Sequence, residues 1–484
     1  MLSRPLLVLL AALAAPLLAQ EPSRELDLDE ELEDWHLVDV DLDGRVEVLL
    51  FFADDDAGKP YRIVRRDERG RATLGPRGHL PANTIAFAFR TGGEPRRRGL
   101  VLLTPEAFRP APLGADDLFH PGDEIPLSRP GFFRAAREGA PALWHWDRDV
   151  DGDGRDDLLL PVDDGVVLRR GGKDGGFAPP VAIPLPTSRT IEPSAPEQFS
   201  FTRSLPHPIF ADVTGDGRSD LAWFDGEGLG FAPQDAEGHF GAARRFALPW
   251  LADAEGGVVE QTDVSLTDLD GDGRDDLLLS RMRADRERVT DMKTTLVALL
   301  QQKGAEPFGR RPDLALVIPG VVGVGPTLLD CDGDGRRDLV VGAYGSGISD
   351  LLSRLVKRVP ITFHVYLGLA KGVFSDTPAT TVKVNAPQAI FSSFGARHAA
   401  RIAPDLDGDG VVDLVTVDTR SGGHAIELRP GSTASGLAFA AEAKRRVEIG
   451  PYRALSLVED RGKTTELLAV APRKLVFVSF AGTD

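Results

Sequence analysis

A chain of 484 residues is long for one ordinary globular core, so it implies either several domains or one repeat architecture. Its formal charge of −18 argues against nucleic acid and anionic membranes as partners, since both are drawn to basic patches. Cys331 is the only cysteine, so no intramolecular disulfide can form and an exported form needs another staple.

Residues 1–20, MLSRPLLVLLAALAAPLLAQ, place Arg4 before an apolar run that ends in small residues, the layout of a secretory signal. The run is too short for a membrane span and no stop-transfer flank follows it. Cleavage is expected after Ala19 or Gln20, with no cysteine nearby to carry a lipid. The mature domain is then 21–484, periplasmic or extracellular, without stable membrane insertion.

Six loops repeat one grammar: DVDLDGRVEVLL from Asp39, DVDGDGRDDLLL from Asp149, DVTGDGRSDLAW from Asp212, DLDGDGRDDLLL from Asp268, DCDGDGRRDLVV from Asp330 and DLDGDGVVDLVT from Asp405. Their first residues are 110, 63, 56, 62 and 75 apart, and the first interval is two periods. Midway through it, Thr84 to Pro105 keeps a strand–loop–strand layout around a basic loop that could hold no cation. Tyr452 to Pro472 keeps the layout and loses the carboxylates. Self-similarity at this period means a solenoid, array or propeller. Eight units cover the mature chain, or seven if Thr84 to Pro105 is only an insertion.

After each loop comes an apolar run, such as Leu158-Leu159-Leu160 or Leu339-Val340-Val341, too continuous for a half-exposed strand. A strand pair with Gly and Phe at its hinge follows, as in VVLRRGGKDGGFAPPVAI from Val166. Four strands per unit is the blade of a β-propeller, and long helical periodicity is nearly absent. The fold class is therefore all-β, a single propeller of eight, alternatively seven, four-stranded blades.

Oxygen ligands at alternating positions let a tight loop wrap one hard cation, and glycine supplies the backbone conformation that a β-carbon resists. In the loop from Asp330 the expected ligands are Asp330, Asp332, Asp334, the carbonyl of Arg336, and Asp338. The corresponding sets are Asp39, Asp41, Asp43 and Glu47; Asp149, Asp151, Asp153 and Asp157; Asp268, Asp270, Asp272 and Asp276; and Asp405, Asp407, Asp409 and Asp413. Asp212, Asp216 and Asp220 have Thr214 in the second slot, so that loop is expected to bind more weakly. Crowded carboxylates suit Ca2+ better than Mg2+, and about five or six ions are expected. An EF-hand would need Glu at position twelve, entering a helix; here position twelve is Leu50, Leu160, Trp223, Leu279, Val341 and Thr416. Position two is apolar in every loop, so Cys331 is expected to be a small buried hydrophobe.

The segment DCDGDGRRDLVVGAYG resembles the FG-GAP repeat of integrin α-subunit propellers, and the set resembles the bacterial FG-GAP/VCBS repeat family. FGARHAARIAPDLDGDGVVDLVTV, from Phe394 and Gly395, carries the Phe-Gly start as well. The resemblance implies a propeller whose calcium loops join the first and second strands of each blade. It implies no activity, because functions are grafted onto such scaffolds.

The cages occupy one face of the disc. The long insertions Asp116 to Pro141, Pro184 to Pro208, Arg281 to Lys293 and Gly345 to Pro360 are all expected on the other, where exposed loops serve recognition. Ile348, Leu351, Leu352 and Leu355 have helical spacing, read as a short helix over the rim. Trp144-His145-Trp146 could stack on a sugar but is read as the first strand of a blade. None of the common catalytic motifs is present. The expectation is a monomeric binding or adhesion scaffold for a protein or glycan partner. The alternative is a carbohydrate-active enzyme resembling the polysaccharide lyases built on calcium-loaded propellers.

Overall fold

The computed structural model describes residues 23–484 except 93–96, 134–137, 145–146, 173–175, 196–197, 249–257, 285–291, 304–305, 346–356, 371, 421–422, 461–462 and 481–484. The signal segment 1–20, the expected helix from Ile348, and His145 with Trp146 lie outside the described residues.

Eight small antiparallel sheets form an eight-bladed β-propeller. Blade one is Leu32–Val38, Glu47–Phe52 and Lys59–Arg66, whose outer side pairs with both Ala72–Leu74 and Gly78–Leu80. Blade two is Ala86–Gly92, Arg97–Leu103, Ala107–Ala111 and Ile125–Pro126; blade three is Asp147–Arg148, Asp157–Val162, Gly165–Arg169 and Val181–Pro184. Blade four is Ile209–Ala211, Asp220–Phe224, Gly228–Ala232 and Arg244–Ala247; blade five is Val258–Thr267, Asp276–Ala284, Lys293–Leu299 and Leu314–Pro319. Blade six is Val321–Leu329, Asp338–Tyr344, Arg358–Tyr366 and Thr380–Pro387; blade seven is Ala400–Ala403, Asp413–Arg420, Gly423–Arg429 and Arg445–Glu448. The unit from Thr84 to Pro105 is thus a blade in its own right, so the count is eight rather than seven.

Blade eight supplies only three strands from its own repeat: Ala454–Asp460, Lys463–Ala471 and Lys474–Val478. Ser23–Asp27 provides the fourth, with Ser23 opposite Val478 and Asp27 opposite Lys474. The beginning of the chain therefore closes the ring. Val48, Leu50 and Phe52 of blade one pack with Leu468, Val470 and Phe477 of blade eight. Buried Arg66 crosses the same seam to Asp460 at 2.8 Å and to Glu466.

Second strands carry the continuous apolar runs because a neighbouring blade covers each of their faces. Glu47–Phe52 and Asp157–Val162 are buried at every position. Each such Leu or Phe contributes roughly 1.5–3 kcal/mol by leaving water. Every position-twelve residue lies within a second strand, as expected for a propeller and not for an EF-hand.

The Phe at the hinge between strands three and four has a defined partner. Leu113 bridges Phe119, Gly171 bridges Phe177, Gln234 bridges Phe240, Gln301 bridges Phe308, and Gly368 bridges Phe374.

Two expectations need correction. Asp116 to Pro141 does not lie wholly on the face opposite the cages. Its part before Ile125 connects strands three and four of blade two, on the cage side, because Ile125–Pro126 is that blade's short fourth strand. Nor does Trp144 begin blade three. Ala142–Leu143 instead pairs in parallel with Ala86–Phe87 of blade two, and the first strand of blade three starts at Asp147. Trp144 spans the junction, its Nε1 donating to the Leu159 carbonyl at 3.3 Å.

Candidate metal centres

All six acidic loops join the first and second strands of their blades. The first-position carboxylate shapes each loop by gathering amides. Asp149 Oδ1 accepts from Gly152 at 2.7 Å and Asp153 at 3.0 Å, and its Oδ2 accepts from Gly154 at 2.7 Å. Asp268 and Asp405 bind their own loops in the same way. Gly333 and Gly335 have φ of 79° and 83°, the left-handed region that a tight wrap requires. In blade one Leu42 occupies that position at φ 59°, a conformation that strains a side chain by roughly 1–2 kcal/mol.

The ninth-position carboxylate is buried and holds two loops together. Asp338 Oδ2 accepts from Cys331 at 2.7 Å, and Oδ1 accepts from Gly368 at 2.7 Å, the residue that bridges Phe374. Asp157 does the same with Val150 and Gly171, and Asp276 with Leu269 and Gln301. Cys331 is 1 % exposed, and burial pushes its thiol well above the usual range. It is the small buried hydrophobe expected from the apolar second position.

Three carboxylate oxygens lie within 4.8 Å of one another in five loops: Asp149, Asp151 and Asp157; Asp268, Asp270 and Asp276; Asp330, Asp332 and Asp338; Asp405, Asp407 and Asp413; and Asp39, Asp41 and Asp43. Among the described residues Asp212, Asp216 and Asp220 form no such group, and Thr214 stands in the slot that a carboxylate fills in the other loops. Burial, reinforced by Asp270 and Asp272, raises Asp276 to about 6. Burial likewise raises Asp413 and Glu47 to about 7. Such crowded carboxylates repel one another, and a bound cation would relieve the repulsion. The donor set therefore fits a hard metal ion.

The fifth-position carboxylates are turned elsewhere in several loops. Asp153, Asp216, Asp272 and Asp334 pair with Arg155, Arg218, Arg274 and Arg336, two residues on in each case. Three of these arginines clamp the strand three–four hinge: Arg155 Nε donates to Gly171 O at 2.9 Å, Arg218 Nε to Gln234 O at 3.0 Å and Arg336 Nε to Gly368 O at 3.0 Å. Asp409 has Val411 in place of such an arginine.

Other features of the site escaped the sequence. Arg65 reaches into the blade-one loop, its Nη1 2.6 Å from Asp41 and 3.4 Å from Glu47, with Asp117 at 3.0 Å beyond. Gln234 donates to the Val150 carbonyl at 2.9 Å, and Gln301 to that of Asp212, so each ties its blade to the loop of the preceding one. Glutamine recurs at the equivalent hinge positions Gln234 and Gln301, the one local sign of this tie.

The fold and its loops define a class: an all-β propeller of eight blades whose cage face carries acidic groups able to hold metal ions. No family model matches the chain, and no curated protein does. Among solved structures the chain is similar to an Agrocybe aegerita lectin described as recognising non-reducing terminal N-acetylglucosamine, with 15% identity and a TM-score of 0.44 over 85% of this chain and 94% of that one. It is also similar to a protein from Lactobacillus plantarum, with 11% identity and a TM-score of 0.31 over 83% and 98%. The propeller itself rests on the sheets and registers described above. Among the described residues no helix is long and apolar enough to cross a membrane.

Proposed function

We propose that this chain is an exported propeller of the FG-GAP/VCBS repeat type, stapled by calcium and acting as a binding or adhesion scaffold for a protein or glycan. The observation that carries this reading is the difference between the two faces. Five tight carboxylate groups are spread around one face at one loop position, which suits staples better than a single reaction centre. Calcium tolerates the irregular, carboxylate-rich shell that these loops offer, with the Arg336 carbonyl and its counterparts as further ligands.

The opposite face carries the hairpin Ser188–Ala195/Gln198–Ser204 and the short helix Gln388–Phe394. A cleft of about 530 Å³ lies between blades six and seven, lined by Arg358, Lys383, Asn385, Asp418, Glu427 and Arg429. Arg358 is held at 2.9 Å by Asp418. Interleaved donors and acceptors of this kind suit a hydroxyl-rich or polar peptide ligand. A glycan-array and pull-down screen with and without calcium tests the proposal. A ligand bound in calcium and lost on Lys383→Ala or Asn385→Ala supports it; no ligand, or one indifferent to both substitutions, overturns the cleft as the recognition site.

A further inference from the structure

The first strands of the blades line a central channel, and near their cage-side ends they enclose a cavity of about 640 Å³. Its apolar wall includes Leu37 of blade one, Phe89 of blade two, Phe210 of blade four and Leu266 of blade five. Its polar side chains are Arg98, Arg148, His207 and Ser265, and none of its lining residues is acidic. In a chain of charge −18 that is an unusual lining.

Most arginines described above meet a carboxylate, whereas these two have no carboxylate partner among the described residues. Arg148 donates one hydrogen bond, to the Phe210 carbonyl at 3.2 Å, and its guanidinium lies 5.9 Å from the centre of the Phe210 ring. Arg98 has a buried Nε without a hydrogen-bond acceptor among the described residues. Two acids that directly follow lining residues, Asp39 after Val38 and Asp149 after Arg148, are committed elsewhere. Asp39 accepts from Asp43 at 3.1 Å and Gly44 at 2.9 Å, and Asp149 from the three amides of its own loop.

We propose that this end of the channel binds a small monoanion with a flat apolar body, a carboxylate or sulfonate held by Arg98 and Arg148 while its rings or chain lie against Phe89, Phe210 and Leu266. The volume is that of a small-molecule site, and a guanidinium fork is the side chain best matched to such an anion. The site is separate from the cleft between blades six and seven and does not depend on it.

The test uses the full mature chain in calcium and titrates it with anilinonaphthalene sulfonate by fluorescence, beside N-phenylnaphthylamine, the same rings without the anion. The expected result is one saturable sulfonate site, with the neutral analogue at least about tenfold weaker. Arg148→Gln and Arg98→Gln should each weaken the sulfonate by about tenfold with melting curves unchanged, and Arg148→Lys should recover part of the loss. Arg148 is exposed, so its substitution keeps the test decisive even if Arg98→Gln disturbs the fold. Equal binding of the neutral analogue, or wild-type affinity in Arg148→Gln, would overturn the proposal.

Discussion

The Asp338 carboxylate accepts the Cys331 amide at 2.7 Å, so the residue expected to bind a cation also fixes the loop that would hold it. Its other oxygen takes the Gly368 amide at 2.7 Å, and both bonds are buried. Asp338→Asn would turn an NH2 group towards one of these donors. We expect a loss of roughly 1–3 kcal/mol that persists in excess chelator, where metal no longer contributes. Denaturant midpoints with and without chelator measure it. A loss seen only in calcium would assign Asp338 to the ion alone.

The six loops should not load equally. Arg65 already places a positive charge 2.6 Å from Asp41, and Thr214 removes a carboxylate from the loop of blade four. We therefore expect four ions to survive desalting, in blades three, five, six and seven, and to be counted by native mass spectrometry. Arg65→Gln should add a fifth. An unchanged count in that variant would contradict the role given to Arg65.

Burial raises Asp276 to about 6 and Asp413 and Glu47 to about 7. In metal-free protein these groups hold protons that the unfolded chain releases near its ordinary, lower carboxylate range. Stability should accordingly be greatest at acid pH and fall as pH rises towards 7. A divalent ion displaces the same protons, so its affinity should rise across that window. Melting temperatures from pH 5 to 7.5, with chelator and with calcium, should show a fall in the first series and none in the second.

How much of this was legible follows from how local each signal is. The cages and the blade count could be read because a cation loop needs carboxylates and glycine at fixed spacing within a dozen residues. Gly333, Gly335 and Asp338 fell where that spacing requires. Arg65 and Asp117 meet across 52 positions, and nothing in either neighbourhood announces the other. Ser23–Asp27 is a polar edge strand, and only its partner Lys474–Val478 reveals it. The two-residue strand Ile125–Pro126 is too short to show a period, so nothing in the sequence marks the loop before it as lying on the cage side.

Ring closure by Ser23–Asp27 makes a separate prediction. Deleting residues 21–28 removes the outer strand of blade eight and Leu28, which is 5 % exposed within the seam. The truncated chain should melt at lower temperature, and blade eight should lose amide protection first, as seen by hydrogen exchange. Uniform loss of protection would mean that the strand is not a local closure.

If calcium in the cage-face loops holds the propeller together, as proposed, the melting temperature of the mature protein must depend on it. Each site filled to about a hundred times its dissociation constant stabilises the native state by about 2.7 kcal/mol. Excess chelator should therefore lower the melting temperature by at least about 10 °C, and added calcium should restore it. A melting temperature unchanged by chelator would contradict the claim.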